Sequence, residues 1–326
     1  MEVKIERITC KGLIIMNRTI VTVFTAILFA GVCPNNSWAA EIPNNDTLRV
    51  MSFNIWVGGG ESIERTIAVI KESDADIVGI QEEAKDAAAT IAKSLGWTTV
   101  HTYKTLLGKG CAIISKYPVV AFSASKIGAK LKIGENKYAW MFNQHLNHCP
   151  YEPYRLNGIE YCGGTLHSEE EAIASAWNAR KNDVELTIAE IKTAQADKIP
   201  IFLTGDFNEP SYLDWTERAA AAGLCKIPVA WPATKKLHEQ TGIKDSYRVI
   251  HPDEVNRPGY TWTPRPAEKD VIDRIDFVLF WGDMVTVLKS EIAGEKTPES
   301  DIVIQDYPSD HRAVISAFCI SSSITN

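Results

Sequence analysis

Ile201-Phe202-Leu203-Thr204-Gly205-Asp206-Phe207-Asn208-Glu209-Pro210 passes from an apolar run straight into acidic and turn-forming residues. The apolar part, Ile199–Thr204 with its flank, has the length and composition of a buried strand. A carboxylate at the end of such a strand is costly unless it is hydrogen-bonded, ion-paired or metal-bound. Asp206 and Asn208 are two residues apart, so in extended chain they face the same side. Gly, Asp, Asn and Pro are also ordinary turn residues, and this segment alone does not separate a site from a loop.

The same arrangement recurs along the chain. Asn54 ends the apolar run Leu48–Ile55, Glu82 follows Ile77-Val78-Gly79-Ile80-Gln81, and His145 closes Tyr138–Leu146. Asp276 lies in Ile272–Phe280, and Asp310-His311 precedes Ala313–Ile320. Further strands are expected at Gly110–Ser115 and Val119–Ser123, joined by a tight turn at Lys116-Tyr117-Pro118, and at Met284–Glu291. Helical periodicity marks Ser62–Glu72 (Ile63, Ile67 and Ile70 on one face), Ala84–Leu95, Ala172–Ala194 and Tyr212–Ala222. Many strands follow one another directly, which favours stacked sheets flanked by helices over a parallel doubly wound sheet.

The 326 residues are 45% hydrophobic and 23% charged, which excludes disordered and collagenous classes. Ile20–Val32 is an uncharged apolar run behind Arg18, too short for a comfortable membrane span of about 20 residues. Ser37 and Ala39 supply the small residues of a cleavable signal peptide, residues 1–39, with Met16 as an alternative start. A retained N-terminal anchor is the rival reading. Cleavage would remove four basic and two acidic residues, taking the formal charge from −7 to −9. Such an acidic chain is not expected to hold nucleic acid by blanket phosphate neutralisation. Export implies an oxidising compartment, where Cys149 and Cys162 are the natural pair because they bracket one polar, Pro- and Gly-containing stretch. Cys111 and Cys319, in apolar strand-like surroundings, read as buried thiols.

Taken together, Ser-Phe-Asn-Ile (52–55), Val-Gly-Ile-Gln-Glu (78–82), Asn-Gln-His-Leu (143–146), Gly-Asp-Phe-Asn-Glu (205–209), Asp-Arg-Ile-Asp-Phe-Val (273–278) and Ser-Asp-His (309–311) resemble the motifs of the endonuclease/exonuclease/phosphatase superfamily, in their expected order. The resemblance implies a DNase-like α/β fold, a four-layer α/β/β/α sandwich of two mainly antiparallel sheets. It also makes residues 40–326 one catalytic domain. It implies a Mg²⁺ or Mn²⁺ ion held mainly by Glu82, with Asn54 and Asp310 nearby. Asp206 would orient or deprotonate the attacking water and Asn208 would bond a phosphate oxygen. His311 would contact the phosphate with Asp276 behind it; the base is left open between Asp206 and His311. Arg180 would brace or contact the phosphate region.

His145 stands where AP endonucleases carry tyrosine, and Trp56 where they carry aspartate; both resemble the deoxyribonuclease and sphingomyelinase branches instead. The Ile275-Asp276-Phe277 context departs from the inositol 5-phosphatase signature. The insertion Asn147–Ser175 is expected beside the catalytic mouth, with Tyr260 and Trp262 as a second rim that either stacks on substrate or covers core. Trp215 and Trp231 are open to the same two readings. His148 and His167 read as solvated loop histidines. The leading expectation is a secreted or periplasmic, monomeric, metal-dependent phosphodiesterase or phosphatase. Its substrate would be a small-molecule, lipid-headgroup or nucleotide phosphoester. The alternatives are a secreted nuclease and, less favoured, a binding scaffold without turnover.

Overall fold

The computed structural model describes residues 47–321. In chain order these form β1 (Thr47–Asn54), the kinked turn α1 (Trp56–Gly59), α2 (Ile63–Glu72), β2 (Ile77–Gln81), α3 (Ala87–Leu95), β3 (Thr99–Lys104), β4 (Gly110–Ser115), β5 (Val119–Phe122), β6 (Gly128–Gly134) and β7 (Lys137–His145). There follow α4 (Glu152–Leu156), α5 (Glu169–Gln195), β8 (Ile201–Asp206), α6 (Glu217–Ala221), α7 (Pro232–Thr241), β9 (Lys244–Asp245), α8 (Ser246–Ile250), β10 (Asp276–Trp281), β11 (Val285–Gly294), β12 (Ile302–Val303) and β13 (Ala313–Ile320).

Two mixed sheets result. One has the order β12-β11-β13-β1-β2-β4-β3 and the other β5-β6-β7-β8-β10-β9. Only β1–β2, β7–β8 and β11–β12 pair in parallel among the described strands. The period-2 alternation of strands explains the layering. In β8, Phe202 points into the core between the sheets, with Val50, Ile113, Met141, Val278, Val314 and Phe318. Ile201 and Leu203 point the other way, onto Val184, Ile188 and Ile191 of α5 and Leu237 of α7. On the far side, Met51, Phe53, Val78 and Ile80 pack under Ile67 and Ile70 of α2 and Ile91 of α3. The outcome is the four-layer α/β/β/α sandwich. Truncating a fully buried side chain such as Phe202 to Ala would cost about 3–5 kcal/mol.

Towards the catalytic end the inter-sheet core turns polar. Gln81 Nε2 donates to Asn143 Oδ1 at 2.6 Å, and Thr204 Oγ1 donates to the same oxygen at 3.0 Å. Asn143 Nδ2 in turn reaches the Ile80 and Ala112 carbonyls across the gap, at 2.8 and 3.1 Å. The Ser52 hydroxyl of one sheet accepts the Gly205 N–H of the other at 3.1 Å. Close approach at this plug requires glycine at 79, where an added Cβ would lie 1.8 Å from Thr204 Oγ1.

Several local expectations are corrected. The strands flanking Lys116-Tyr117-Pro118 do not form a hairpin. β4 belongs to the first sheet and β5 to the second, so the turn carries the chain between layers. The helix expected from Ala84 starts only at Ala87, because Glu82, Lys85 and Asp86 all have left-handed φ values of 55–60°. In Tyr212–Ala222 only Glu217–Ala221 is helical, with Thr216 as its side-chain cap. α5 begins as its sequence suggests, Ser168 accepting the Glu171 N–H beside Glu169, Glu170 and Glu171. The Cys149–Cys162 disulfide is formed and Cys111 is a buried free thiol. Cys319, expected as a free thiol, is disulfide-bonded. The signal-peptide segment 1–39 lies outside the described residues.

Candidate active site

Strand register brings the singled-out residues together. In the second sheet, His145 of β7 and Asp276 of β10 are the register partners of Asp206 on either side. The first sheet contributes Asn54 from the end of β1, Glu82 just past β2, and Asp310-His311 just before β13. These seven candidate residues therefore converge where the two sheets meet, beside a cleft of about 410 Å³.

Asp206 is at the centre and buried. Its Oδ2 accepts from Asn54 Nδ2 at 2.9 Å and lies 3.4 Å from His145 Nε2 and 3.7 Å from His311 Nε2. Its Oδ1 accepts the Asn208 N–H at 2.9 Å. Burial alone would raise its pKa, but His311, His145, Lys109 and the Asn208 N–H hold it below the usual carboxylate value. Asn208 is in left-handed backbone, φ 47°, and its Nδ2 is tied to the Leu146 carbonyl at 3.1 Å.

Two buried histidines flank Asp206 and differ in charge. His311 Nδ1 lies 2.9 Å from Asp276 Oδ2. Burial opposes its protonation, yet Asp276 and Asp206 overcome that and raise its pKa to about 10. At neutral pH the imidazole is a cation, and Nε2–H is its free donor towards the cleft. Burial raises Asp276 to about 6, with His311 acting against it, so the pair is ionised at pH 7. His145 has no second carboxylate. Burial lowers its pKa to about 3 despite Asp206, and Lys109 pushes the same way.

Glu82 also has positive φ, 60°, an uncommon conformation that turns its carboxylate into the cleft. The chain from Trp56 to Gly60 curls around it through consecutive positive φ values. Val57 N–H donates to Glu82 Oε2 at 2.8 Å, and Asn54 Nδ2 reaches Oε1 at 3.4 Å. Asp310 faces the same cleft. Burial raises its pKa, and its Oδ1 is buried with no hydrogen-bond partner among the described residues. Glu82, Asp310 and the neighbouring Asn54 supply hard oxygen donors with an unsatisfied carboxylate oxygen, which fits a divalent cation. Asp206, Asp276 and His311 also bring ligand atoms within 4.8 Å of one another. There, however, the imidazole carries a proton between two carboxylates, which suits proton holding better than ligation.

Not every expected residue reaches the cleft. Arg180 is fully buried behind it, donating to the Asn208 and Pro150 carbonyls at 2.7 and 2.8 Å and to Glu152 at 2.8 Å. It fixes the catalytic turn to the insertion and meets no cleft surface. Tyr260 is likewise off the site, in a separate small hollow with Asp214, Trp215 and Arg248. Trp262 does line the cleft, its ring 4.9 Å from that of His311. Trp215 and Trp231 are core residues packed on each other.

The disulfide-closed insertion forms one cleft wall with Tyr151, Tyr154, Tyr161 and His148. Tyr151 and Tyr154 hold their hydroxyls away, on Asp273 at 2.7 Å and Asp270 at 2.9 Å, and present ring surface. His148 is an exposed loop residue, as expected, and its Nδ1 also sits 2.9 Å from Lys109 Nζ. Lys109 is the residue that sequence reasoning missed. Its signal was only its position two residues before a buried strand segment.

These findings agree with what the chain is similar to. The model of the endonuclease/exonuclease/phosphatase family matches residues 51–311. An uncharacterized Caenorhabditis elegans protein, F14F9.5, is 27% identical over 311 residues, 87% of this chain and 95% of that protein. The endonuclease/exonuclease/phosphatase from Bacteroides vulgatus superposes with TM-score 0.54 at 18% identity, over 84% of this chain and 99% of that one. The catalytic domain of human Nocturnin, solved with a bound sulfate anion, gives 0.52 at 19% identity, over 84% and 95%. With the family motifs falling at the ends of the strands that surround Asp206, the chain belongs to the endonuclease/exonuclease/phosphatase family.

Proposed function

We propose that this protein is an exported, divalent-metal-dependent hydrolase of small phosphoesters that works by in-line attack of water. The observation that carries the reading is the arrangement around Asp206: His311 Nε2 lies 3.7 Å from its Oδ2, and Asp276 Oδ2 lies 2.9 Å from the other nitrogen of the same ring. Asp206, held by Asn54 and the Asn208 N–H, accepts the hydrogen bond that orients the water and is the group placed to take its proton. The His311 Nε2–H donates to a non-bridging phosphoryl oxygen, where negative charge grows in the transition state. Asp276 keeps that proton in place. With His311 cast as the donor, Asp206 takes the role of base in this reading. Glu82 and Asp310, with Asn54 alongside, would hold a Mg²⁺ or Mn²⁺ ion, which supplies Lewis-acid charge at the phosphate and a more acidic water.

Export is supported by the apolar run before Ala39 and by the Cys149–Cys162 bond that closes the cleft wall. The acidic net charge and the walled cleft favour a small or headgroup-sized substrate over long nucleic acid. The test is hydrolysis by the purified protein of bis-p-nitrophenyl phosphate, p-nitrophenyl phosphate, sphingomyelin and plasmid DNA, with Mg²⁺ or with EDTA. EDTA-sensitive turnover that Glu82→Gln abolishes, with thermal unfolding of the metal-free protein unchanged, is the expected outcome. Turnover indifferent to EDTA would refute metal dependence, and preferential cleavage of the plasmid would replace this reading with the nuclease.

A further inference from the structure

Lys109 sits on the hairpin between β3 and β4, at the edge of the first sheet, and reaches over to the second. The turn beneath it is fixed: Thr105 N–H donates to the Lys109 carbonyl at 2.9 Å and Gly108 N–H to Thr105 at 2.8 Å. The next residue, Gly110, packs so closely that an added Cβ would lie 1.9 Å from the Glu83 carbonyl. The hairpin is thus clamped to the loop that bears Glu82, and Lys109 leaves it in a defined direction.

Its ammonium is in the cleft, 3.3 Å from His145 Nε2, 3.0 Å from the Leu146 carbonyl and 2.9 Å from His148 Nδ1. All three partners are neutral acceptors. Burial depresses both imidazole pKa values, and no carboxylate lies within salt-bridge distance of Lys109 among the described residues. Burial also pulls the lysine's own pKa down, while Asp206 and Glu82 act from further off to support its charge. A largely buried cation without a paired anion is an expensive arrangement. His311, the other cation here, has Asp276 against it at 2.9 Å. Lys109 has no such carboxylate against it among the described residues.

We propose that Lys109 is a substrate-binding residue that takes an anionic oxygen of the substrate phosphate, releasing His148 to do so. The inference rests on the phosphoesterase reading above. It adds a second positive contact on the side of Asp206 opposite to His311, next to His145. The weak link is built in, because the ammonium gives up a neutral imidazole acceptor for a charged oxygen. Charge-assisted hydrogen bonds of that kind are about twice as strong as neutral ones.

The test uses inorganic phosphate as probe, both as a competitive inhibitor of turnover and by calorimetric titration without turnover. Lys109→Met keeps the aliphatic stem and should weaken phosphate binding roughly 10–100-fold, the value of one hydrogen bond to a charged group. Lys109→Arg should recover part of the loss, and both variants should unfold at the wild-type temperature. A larger loss on p-nitrophenyl phosphate than on its diester would assign the contact to the oxygen that a diester lacks; equal losses would assign it to one both share. Phosphate affinity unchanged in Lys109→Met, whatever happens to kcat, overturns the inference and leaves Lys109 as a prop for two histidines. A wild-type protein that binds no phosphate overturns the phosphoesterase reading and this inference with it.

Discussion

The two sides of Asp206 are built from the same residue type and behave oppositely. His311 and His145 are both almost fully buried, and each has a ring nitrogen within 4 Å of the same carboxylate oxygen. On one side Asp276 adds a second negative charge and the imidazole is protonated well into alkaline pH. On the other side burial, with the Lys109 ammonium acting the same way, lowers the pKa to about 3 and the imidazole is neutral. Burial pushes both histidines towards the neutral form; it prevails at His145, and at His311 two carboxylates overcome it. The site thereby holds one proton donor and one neutral spacer around a single carboxylate.

The comparison can be broken most severely at His311. His311→Ala should lower kcat by on the order of 10²–10⁴-fold, because both the donor and its charge are lost. A change confined to KM would contradict a transition-state role. Asp276→Asn should be next, on the order of 10²–10³-fold in kcat. Its sharper signature is in pH. With its pKa raised to about 10, His311 keeps its proton until strongly alkaline conditions, and the asparagine should move the alkaline fall in kcat to lower pH. An unmoved limb would mean that Asp276 does not hold the proton.

His145→Gln should cost about tenfold in kcat, near the value of one hydrogen bond, and leave the profile between pH 5 and 8 unchanged in shape. A new limb in that range would show that His145 titrates during turnover. The smallest effect concerns stability. A His145 pKa lowered to about 3 means that the unfolded chain binds a proton the folded chain refuses. This contribution is present above about pH 6.5 and is lost as pH falls from there towards 3. Denaturant unfolding of wild type minus His145→Gln should therefore narrow on acidification. The His311 pair runs the other way, its stabilisation complete below about pH 6.5 and lost as pH rises through about 10.

What the sequence revealed follows from the same physics. Asn54, Glu82, His145, Asp206, Asp276 and His311 were legible because a polar group next to an apolar strand is conspicuous, and six such places rarely coincide by chance. Lys109 was not legible, since a lysine in a hairpin loop is the commonest of solvated residues and only the fold shows it turning inward. For Arg180 the sequence left bracing and contact open, because a helix position does not say whether a guanidinium meets the cleft or the back of the turn; its bonds to the Asn208 and Pro150 carbonyls are those of a brace. β3 and β6 escaped for a different reason. β3 has a single buried position, and β6 interleaves two lysines and two terminal glycines with its few apolar residues, so neither carries much hydrophobic signal. The crossing between β4 and β5 was read as a hairpin because tight turns and sheet changes use the same residues.

The polar plug between the sheets has a consequence for how the molecule comes to life. Asn54 and Asp206 are bonded across 152 residues of sequence, and Ser309 ties its hydroxyl to the Asn54 carbonyl across 255. Neither half of the sandwich contains the site. Closing such long loops is slow, and the first sheet itself needs one, because β1 pairs with β13. Recovery of activity after dilution from denaturant would therefore report the completed sandwich, the closed first sheet and its docking on the second together.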